Sequence, residues 1–191
     1  MNQTSEFYFT SDGIQFHTRP IYPSDKDLIR KGFGELSERS KYLRFFAVRS
    51  KLTIKQLKYF TEVDGINHVA WGIQDVSGTV PKPVGIGRFV RLKSDPDIAE
   101  IAIAIVDSYQ KKGMGRMLFS ILNIVAANVG IKKLRYHILA DNLFVLKRLE
   151  RFEILNQIKE NQITIVETKV LSAEEVLLEN PGIQAYLDVI K

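Results

Sequence analysis

The sequence predicts an α/β (α+β) fold, a central mixed sheet, mostly antiparallel, flanked by helices and containing one parallel step. Three observations carry this expectation. His68–Gln74 and Val84–Leu92 are rich in β-branched and aromatic residues and are separated by a Ser-Gly turn and Pro81-Lys-Pro83, so they read as two paired strands. Asp97–Val106 is a third such run, and its alternating Ala and Ile suggest burial on both faces. At Gly113 the hydrophobic period becomes helical, with Met114, Met117, Leu118, Ile121, Leu122 and Val125 recurring at i, i+3, i+4, i+7, i+8 and i+11. Lys133–Leu139 then reads as a strand again, which makes Asp97 to Leu139 a βαβ unit and supplies the parallel step.

The remaining elements follow in order. Gly13–Arg19 alternates and reads as the first strand. Ser24-x-x-Asp27 is a capping-box signal for a helix to about Leu36, and Thr53-x-x-Gln56 is a second for a helix to about Phe60. Between them lies a basic and aromatic stretch, Ser40–Phe46. Gly130 is placed to end the long helix, and Leu143–Phe152 reads as a short one. Ile154–Lys159 and Gln162–Leu171 look like a hairpin around Glu160-Asn161. Ser172-x-x-Glu175 opens a tail in which Ile183, Tyr186, Leu187 and Ile190 share one helical face, able to cap the domain or to form a dimer face. No repeat, low-complexity tract or linker interrupts the chain, so we expect one domain over 1–171 and a C-terminal helical extension over 172–191.

Composition bounds the function. The chain has 191 residues, 45% hydrophobic, 26% charged and 10% aromatic, values ordinary for a globular protein. It has no cysteine, which excludes disulfides, thiolate catalysis, iron–sulfur clusters and cysteine–zinc sites. The excess of 27 Lys and Arg over 22 Asp and Glu, +5 in all, is a mild bias toward anionic partners. Met1 to Thr10 lacks the basic and apolar regions of a secretory signal, and the apolar runs at 101–106 and 117–131 fall short of the about 20 residues a membrane span needs. A cytoplasmic protein with no membrane contact is the expectation. Asn2-Gln-Thr4 is a glycosylation string without a secretory context.

The most informative segment runs from Asp97 to Arg116: a strand, a short turn, then a glycine loop opening an amphipathic helix. A helix start presents unpaired N–H groups and the positive end of the dipole, and glycine lets a diphosphate approach the backbone. Lys111, Lys112 and Arg116 add charge to the same mouth. The nucleotide P-loop string is absent. The dinucleotide pattern fails from Gly113, where its last position holds Leu118, and from Gly85, where it holds Val90. What remains is Gln-x-x-Gly-x-Gly, formed by Gln110, Gly113 and Gly115.

That pattern resembles the acetyl-CoA loop of the GNAT superfamily of N-acyltransferases, and the element order from His17 to Leu171 is similar to theirs. The stretch Leu36-Ser-Glu-Arg-Ser-Lys-Tyr-Leu-Arg-Phe-Phe46, with Leu52-Thr53, Tyr59–Asp64 and Ala99-Glu100, is similar to the GNAT domain of bacterial protein-lysine acetyltransferases. Members of that group are often fused to a cyclic-nucleotide domain or an acyl-CoA-synthetase-like region, and 191 residues are too few for either. The resemblance implies acetyl-CoA as cofactor and Glu100 as general base. It implies backbone pairing of the pantetheine arm around Ile103 and Ile105. The diphosphate would lie on the N–H groups of Lys111, Lys112, Gly113, Met114, Gly115 and Arg116, with a further contact from Asn142.

The residues also speak for Glu100 directly. It is the only charge between Ile98 and Val106, and burial in a strand would raise its pKa toward the working range of a base. A lysine amine with pKa about 10.4 costs about 4.6 kcal/mol to deprotonate at pH 7, so transfer to an amine needs such a base. A backbone N–H near Ile103 is a candidate oxyanion donor. The competing reading is a structural ion pair of Glu100 with Arg88 or Arg91.

Two positions depart from the GNAT pattern. Leu149 stands where many members carry a tyrosine acid, and Glu153-Ile154 stand where the helix after Asn142 usually ends in Gly-Phe, which removes the left-handed cap. His17, His68 and His137 lack metal-ligand spacing, and no Gly-x-Ser-x-Gly elbow is present. Arg39, Lys41, Arg44, Arg49 and Lys51 among Tyr42, Phe45 and Phe46 admit a nucleic-acid reading. A helix with a packed apolar side and a solvated basic side, bordering the acceptor groove and able to favour acidic peptides, is the preferred one. The expected activity is acetyl transfer from acetyl-CoA to a primary amine, with protein lysine preferred. A small amine acceptor and a non-catalytic acyl-CoA sensor are the alternatives. Trp71 is expected in the core.

Overall fold

A computed structural model describes residues 6–47 and 50–190. Asn2-Gln-Thr4 and Arg49 lie outside the described residues. Eight strands form one sheet: β1 (Phe7–Ser11), β2 (Ile14–Pro20), β3 (His68–Asp75), β4 (Lys82–Arg91), β5 (Ile98–Ile105), β6 (Lys133–Leu139), β7 (Ile154–Glu160) and β8 (Ile163–Lys169). Their spatial order is β1-β2-β3-β4-β5-β6-β8-β7, and every neighbouring pair is antiparallel except β5 with β6. The helices are α1 (Lys26–Gly34), α2 (Glu38–Phe45), α3 (Ile54–Thr61), α4 (Met114–Asn128), α5 (Leu143–Leu149), α6 (Ala173–Glu179) and α7 (Gln184–Val189).

The period switch at Gly113 marks the element that organises the core. α4 carries apolar side chains nearly all round, and Met114, Leu118, Ile121, Leu122 and Val125 are at most 2% exposed. They pack on the sheet face formed by Phe89, Ala99, Ile101 and Leu134. A Cβ on Gly87 would come within 2.9 Å of Leu122, so the helix lies hard against β4. The other face is covered by α1, α2 and α3 through a smaller cluster of Phe33, Leu36, Leu52, Leu57 and Phe60. Trp71, 1% exposed, is core as expected.

Two capping boxes form as the sequence indicates, Thr53 with Gln56 on α3 and Ser172 with Glu175 on α6. The box expected at Ser24 does not. Pro23 starts a 3-10 turn, Pro23–Asp25, and α1 begins only at Lys26. Asp25 rather than Asp27 takes the reciprocal role, accepting from the Tyr22 N–H at 2.8 Å and from both Arg19 guanidinium nitrogens at 2.7 and 2.8 Å. Strand β1 precedes the alternating run that starts at Gly13 and is an addition to the expected elements. Asp12 and Gly13, with φ of 51° and 74°, form the two-residue turn that pairs it with β2.

Burial of β5 on both faces is corrected. Ile98, Ala99 and Ile101 are buried, but Glu100 is exposed and Ala102 to Ile105 are half-buried. The tail caps the domain: Ile183 is fully buried, and the Tyr186 ring lies 5.3 Å from Trp71 and 5.4 Å from Phe7. Beyond α5 the chain enters β7 without a left-handed residue, closed by the Phe152 N–H on the Leu149 carbonyl at 3.0 Å.

Candidate acyl-CoA site

The site begins where the parallel pairing stops. β5 and β6 pair only at Ile98↔Lys133, Ala99↔Leu134 and Glu100↔Arg135, and diverge beyond. On the other side, β5 stays paired with β4 up to Gly85↔Ile105. The Leu92 N–H donates to the Ile98 carbonyl and the Val106 N–H to the Val84 carbonyl, so even-numbered residues of β5 aim their backbone at β4. Odd-numbered residues, Ile103 and Ile105 among them, therefore aim theirs into the opening between β5 and β6. The opening leads directly to the start of α4.

That start leaves backbone N–H groups without a side-chain cap. Gly113 is the N-cap, in the left-handed region at φ 84°, and no side chain caps the helix. Lys111, at φ 61°, precedes it, so two left-handed residues alternate through the loop and turn successive N–H groups toward one concavity. A Cβ on Gly115 would make only an ordinary 3.8 Å contact with Ile105, so the protein's own packing leaves that side of the loop open. Arg116 folds back over the loop, with its guanidinium 3.9 Å from where a Gly113 Cβ would stand. Arg148 of α5 adds a cation that sequence reading missed. Its pKa is lowered by burial first and then by Arg116 and Arg151.

The loop is tied down from α2. Asp107 accepts from the Ser37 N–H at 2.8 Å, the Ser37 hydroxyl at 2.6 Å and the Ser40 hydroxyl at 3.0 Å. Burial pushes its carboxyl up, but these hydrogen bonds win and hold it below the ordinary carboxylate range. The Gln110 amide donates to the Ile105 carbonyl at 3.0 Å and to Ser40 at 3.1 Å, so this residue of the motif braces the loop from behind. Asn142 is the N-cap of α5, and its side-chain oxygen accepts from the Val145 N–H at 3.5 Å.

Glu100 stands at the point of divergence, with its side chain 48% exposed. The expectation of a buried carboxylate is thus corrected: its face of β5 turns away from α4 toward the side on which α2 packs, and about half of the side chain stays open to solvent. The His137 ring on β6 is its neighbour, Nδ1 to Oε1 3.7 Å, and Glu100 forms no ion pair with Arg88 or Arg91. Arg91 instead donates to the carbonyls of Pro96 and Val129. Leu149 is 4% exposed and belongs to the core. Among the described residues, no group of three His, Cys, Asp or Glu could hold a metal ion, and no helix is long and apolar enough to cross a membrane.

The cations of α2 do not form a solvated cationic surface, while Lys51 beyond it is exposed. Lys41 of α2 is buried, paired with Glu38 at 2.9 Å and lying over the Phe33 ring at 5.3 Å. Arg44 turns inward, and its pKa falls to about 10 through burial and the nearby Arg88 charge. Arg39 alone of the α2 cations is well exposed, at 2.9 Å from Asp141.

A strand pair that opens above an anion cradle defines a class, and comparison with known proteins identifies it. The structure matches the GNAT domain of PAT from S. lividans with a TM-score of 0.76 and 24% identity, covering 86% of this chain and 96% of that one. It matches yncA from Salmonella typhimurium, solved with acetyl-CoA, with a TM-score of 0.65 and 14% identity over 82% of this chain and 95% of that one. The fold is that of a GNAT domain. In sequence, the chain is similar to acetyltransferase Pat of Mycolicibacterium smegmatis, 33% identical over 139 residues, 73% of this chain. It spans 41% of that relative's length. No family model matches the chain.

Proposed function

We propose that the chain is an acetyl-CoA-dependent N-acetyltransferase that acetylates a primary amine, a protein lysine, by general-base-assisted direct attack. The observation that carries this is the end of β5–β6 pairing at Glu100↔Arg135, which leaves strand backbone open above the start of α4. Its likeness to acetyltransferase Pat, and the acetyl-CoA in the structure of yncA, support the same reading.

Acetyl-CoA would supply an acyl group activated as a thioester, whose thiol, with pKa about 8.5, leaves without strong acid help. Backbone groups of Ile103 and Ile105 would hold the pantetheine arm. The N–H groups from Lys111 through Gly113, Met114 and Gly115 to Arg116 would hold the diphosphate, under the charges of Lys111, Lys112 and Arg116. Gln110 keeps that loop in place, and the Asn142 amide has its NH2 free of the cap. Glu100 would accept the ammonium proton, directly or through water, and its exposure gives it access to both. The Ile103 N–H, aimed into the opening, would donate to the carbonyl oxygen as charge develops there. Leu149 leaves no tyrosine acid in the site, which matches a leaving group that needs none.

The test is transfer of labelled acetyl groups to lysines of a cell extract, wild type beside Glu100→Gln, read by mass spectrometry. Label on proteins with wild type alone supports the reading. Equal labelling by both proteins contradicts the base assignment. CoA release without protein label points to a small amine, and no release at all points to a sensor.

A further inference from the structure

We propose that Arg44 and Arg88 form a carboxylate-reading subsite beside Glu100, which selects acceptor lysines flanked by aspartate or glutamate. This rests on the N-acetyltransferase reading and names its substrate class. Val90↔Glu100 and Arg88↔Ala102 are paired across β4 and β5, so Arg88 is the diagonal neighbour of Glu100 on the same face. The Arg88 guanidinium lies 4.7 Å from the ring centroids of both Tyr59 and Phe60, and its Nη1 is buried without a hydrogen-bond partner. Arg44 reaches the same place from α2: its guanidinium lies 5.0 Å from the Phe45 ring centroid, which is 6.3 Å from that of Phe60 under Arg88.

The balance of charge points to the ligand. Other inward-facing cations are satisfied within the chain: Arg19 has Asp25, Lys41 has Glu38, Arg135 has Glu167, and Arg91 donates to two carbonyls. Neither Arg44 nor Arg88 has a carboxylate within hydrogen-bond distance among the described residues. Glu100 is the one carboxylate that acts on both, against two guanidiniums and the nearby rings of His68 and His137. A buried cation without a partner is costly, and a guanidinium fork fits a carboxylate in two-point geometry. An acceptor bringing an ammonium to Glu100 and a carboxylate to Arg44 and Arg88 satisfies all three. Tyr59 and Phe60 hold the fork flat for it.

The experiment compares two peptides that share one lysine, one flanked by Asp and Glu, the other by Asn and Gln. Steady-state kinetics are measured for wild type, Arg88→Gln, Arg44→Gln and Arg88→Lys, with thermal melting and acetyl-CoA binding recorded for each. Wild type is expected to favour the acidic peptide by about tenfold to a hundredfold in kcat/KM, mostly through KM, the range of a charge-assisted hydrogen bond. Either Gln variant should bring the ratio close to one, and Arg88→Lys should keep part of it. If Arg88→Gln fails to fold, Arg44→Gln decides. Equal kcat/KM for the two peptides with wild type, or an intact preference in the folded Gln variants, overturns the subsite alone. No transfer to either peptide or to extract lysines overturns the protein-lysine reading, and the subsite with it.

Discussion

Glu100 is legible in the sequence as a lone charge in an apolar strand, but its surroundings are not. Burial of β5 was inferred from Ala and Ile alternation, which cannot tell which face a helix covers. α4 covers the odd-numbered face, and Glu100 stands on the other. Its case as a base therefore rests on position, at the end of the parallel pairing, and on solvent access. Glu100→Gln should lower kcat by about a hundredfold to ten-thousandfold, the range of general-base catalysis, while acetyl-CoA titrated by calorimetry binds as before. Asp25 is a residue whose weight no motif announced, because its partner Arg19 lies on another element. Burial pushes its carboxyl up, and the Arg19 and Tyr22 hydrogen bonds outweigh that and hold it below the ordinary range. A carboxylate depressed in the folded state contributes stability above its unfolded pKa, near 3.9, and loses it as pH falls through the lower folded value. Asp25→Asn, which leaves the half-buried Arg19 unpaired, should cost about 3 kcal/mol at pH 7. The deficit should shrink below about pH 4 in thermal melts.

At the scale of elements, capping signals of two helices are read from the sequence, while a third cap, one hairpin and the contacts between elements are not. Thr53 and Ser172 cap their helices because a hydroxyl three residues ahead of an orphan N–H needs no tertiary help. Ser172→Ala should cost about 1 kcal/mol, seen as a lower urea midpoint with an unchanged slope. Ser24 failed because Pro23 begins a tighter turn one residue earlier. The Asp12-Gly13 turn was present in the sequence as a standard hairpin signal and was passed over, so β1 was lost with it. In α2, basic residues alternate with aromatic ones, and composition alone suggested a solvated cationic side. Two of its cations turn inward instead, because α2 lies across β5 and has little free face. Gln110 sits in the loop motif, yet its amide braces the loop against Ile105 and Ser40, a role that depends on how α2 is placed.

At the scale of the whole molecule, the sequence order of strands and helices foretold one parallel step. It did not foretell that pairing across this step stops after three residues, the feature on which the proposed site rests. Nor did it choose between a dimer face and a cap for the tail. Packing decides for the cap, since Tyr186 fills the space between Trp71 and Phe7. Tyr186→Ala should cost about 3–5 kcal/mol and lower Tm by about 10 °C, because the ring leaves a cavity that the sheet cannot collapse into.

The central claim is that the opening between β5 and β6 and the start of α4 together bind acetyl-CoA. Calorimetric titration of acetyl-CoA into wild type and Gly115→Ala tests it most directly. The added methyl makes only an ordinary contact with Ile105, at 3.8 Å, and alanine suits the first turn of α4. Tm should therefore hold or rise. The same methyl stands in the cradle, and affinity for acetyl-CoA should fall at least tenfold. A Gly115→Ala protein that melts no lower than wild type and binds acetyl-CoA equally well would contradict the claim.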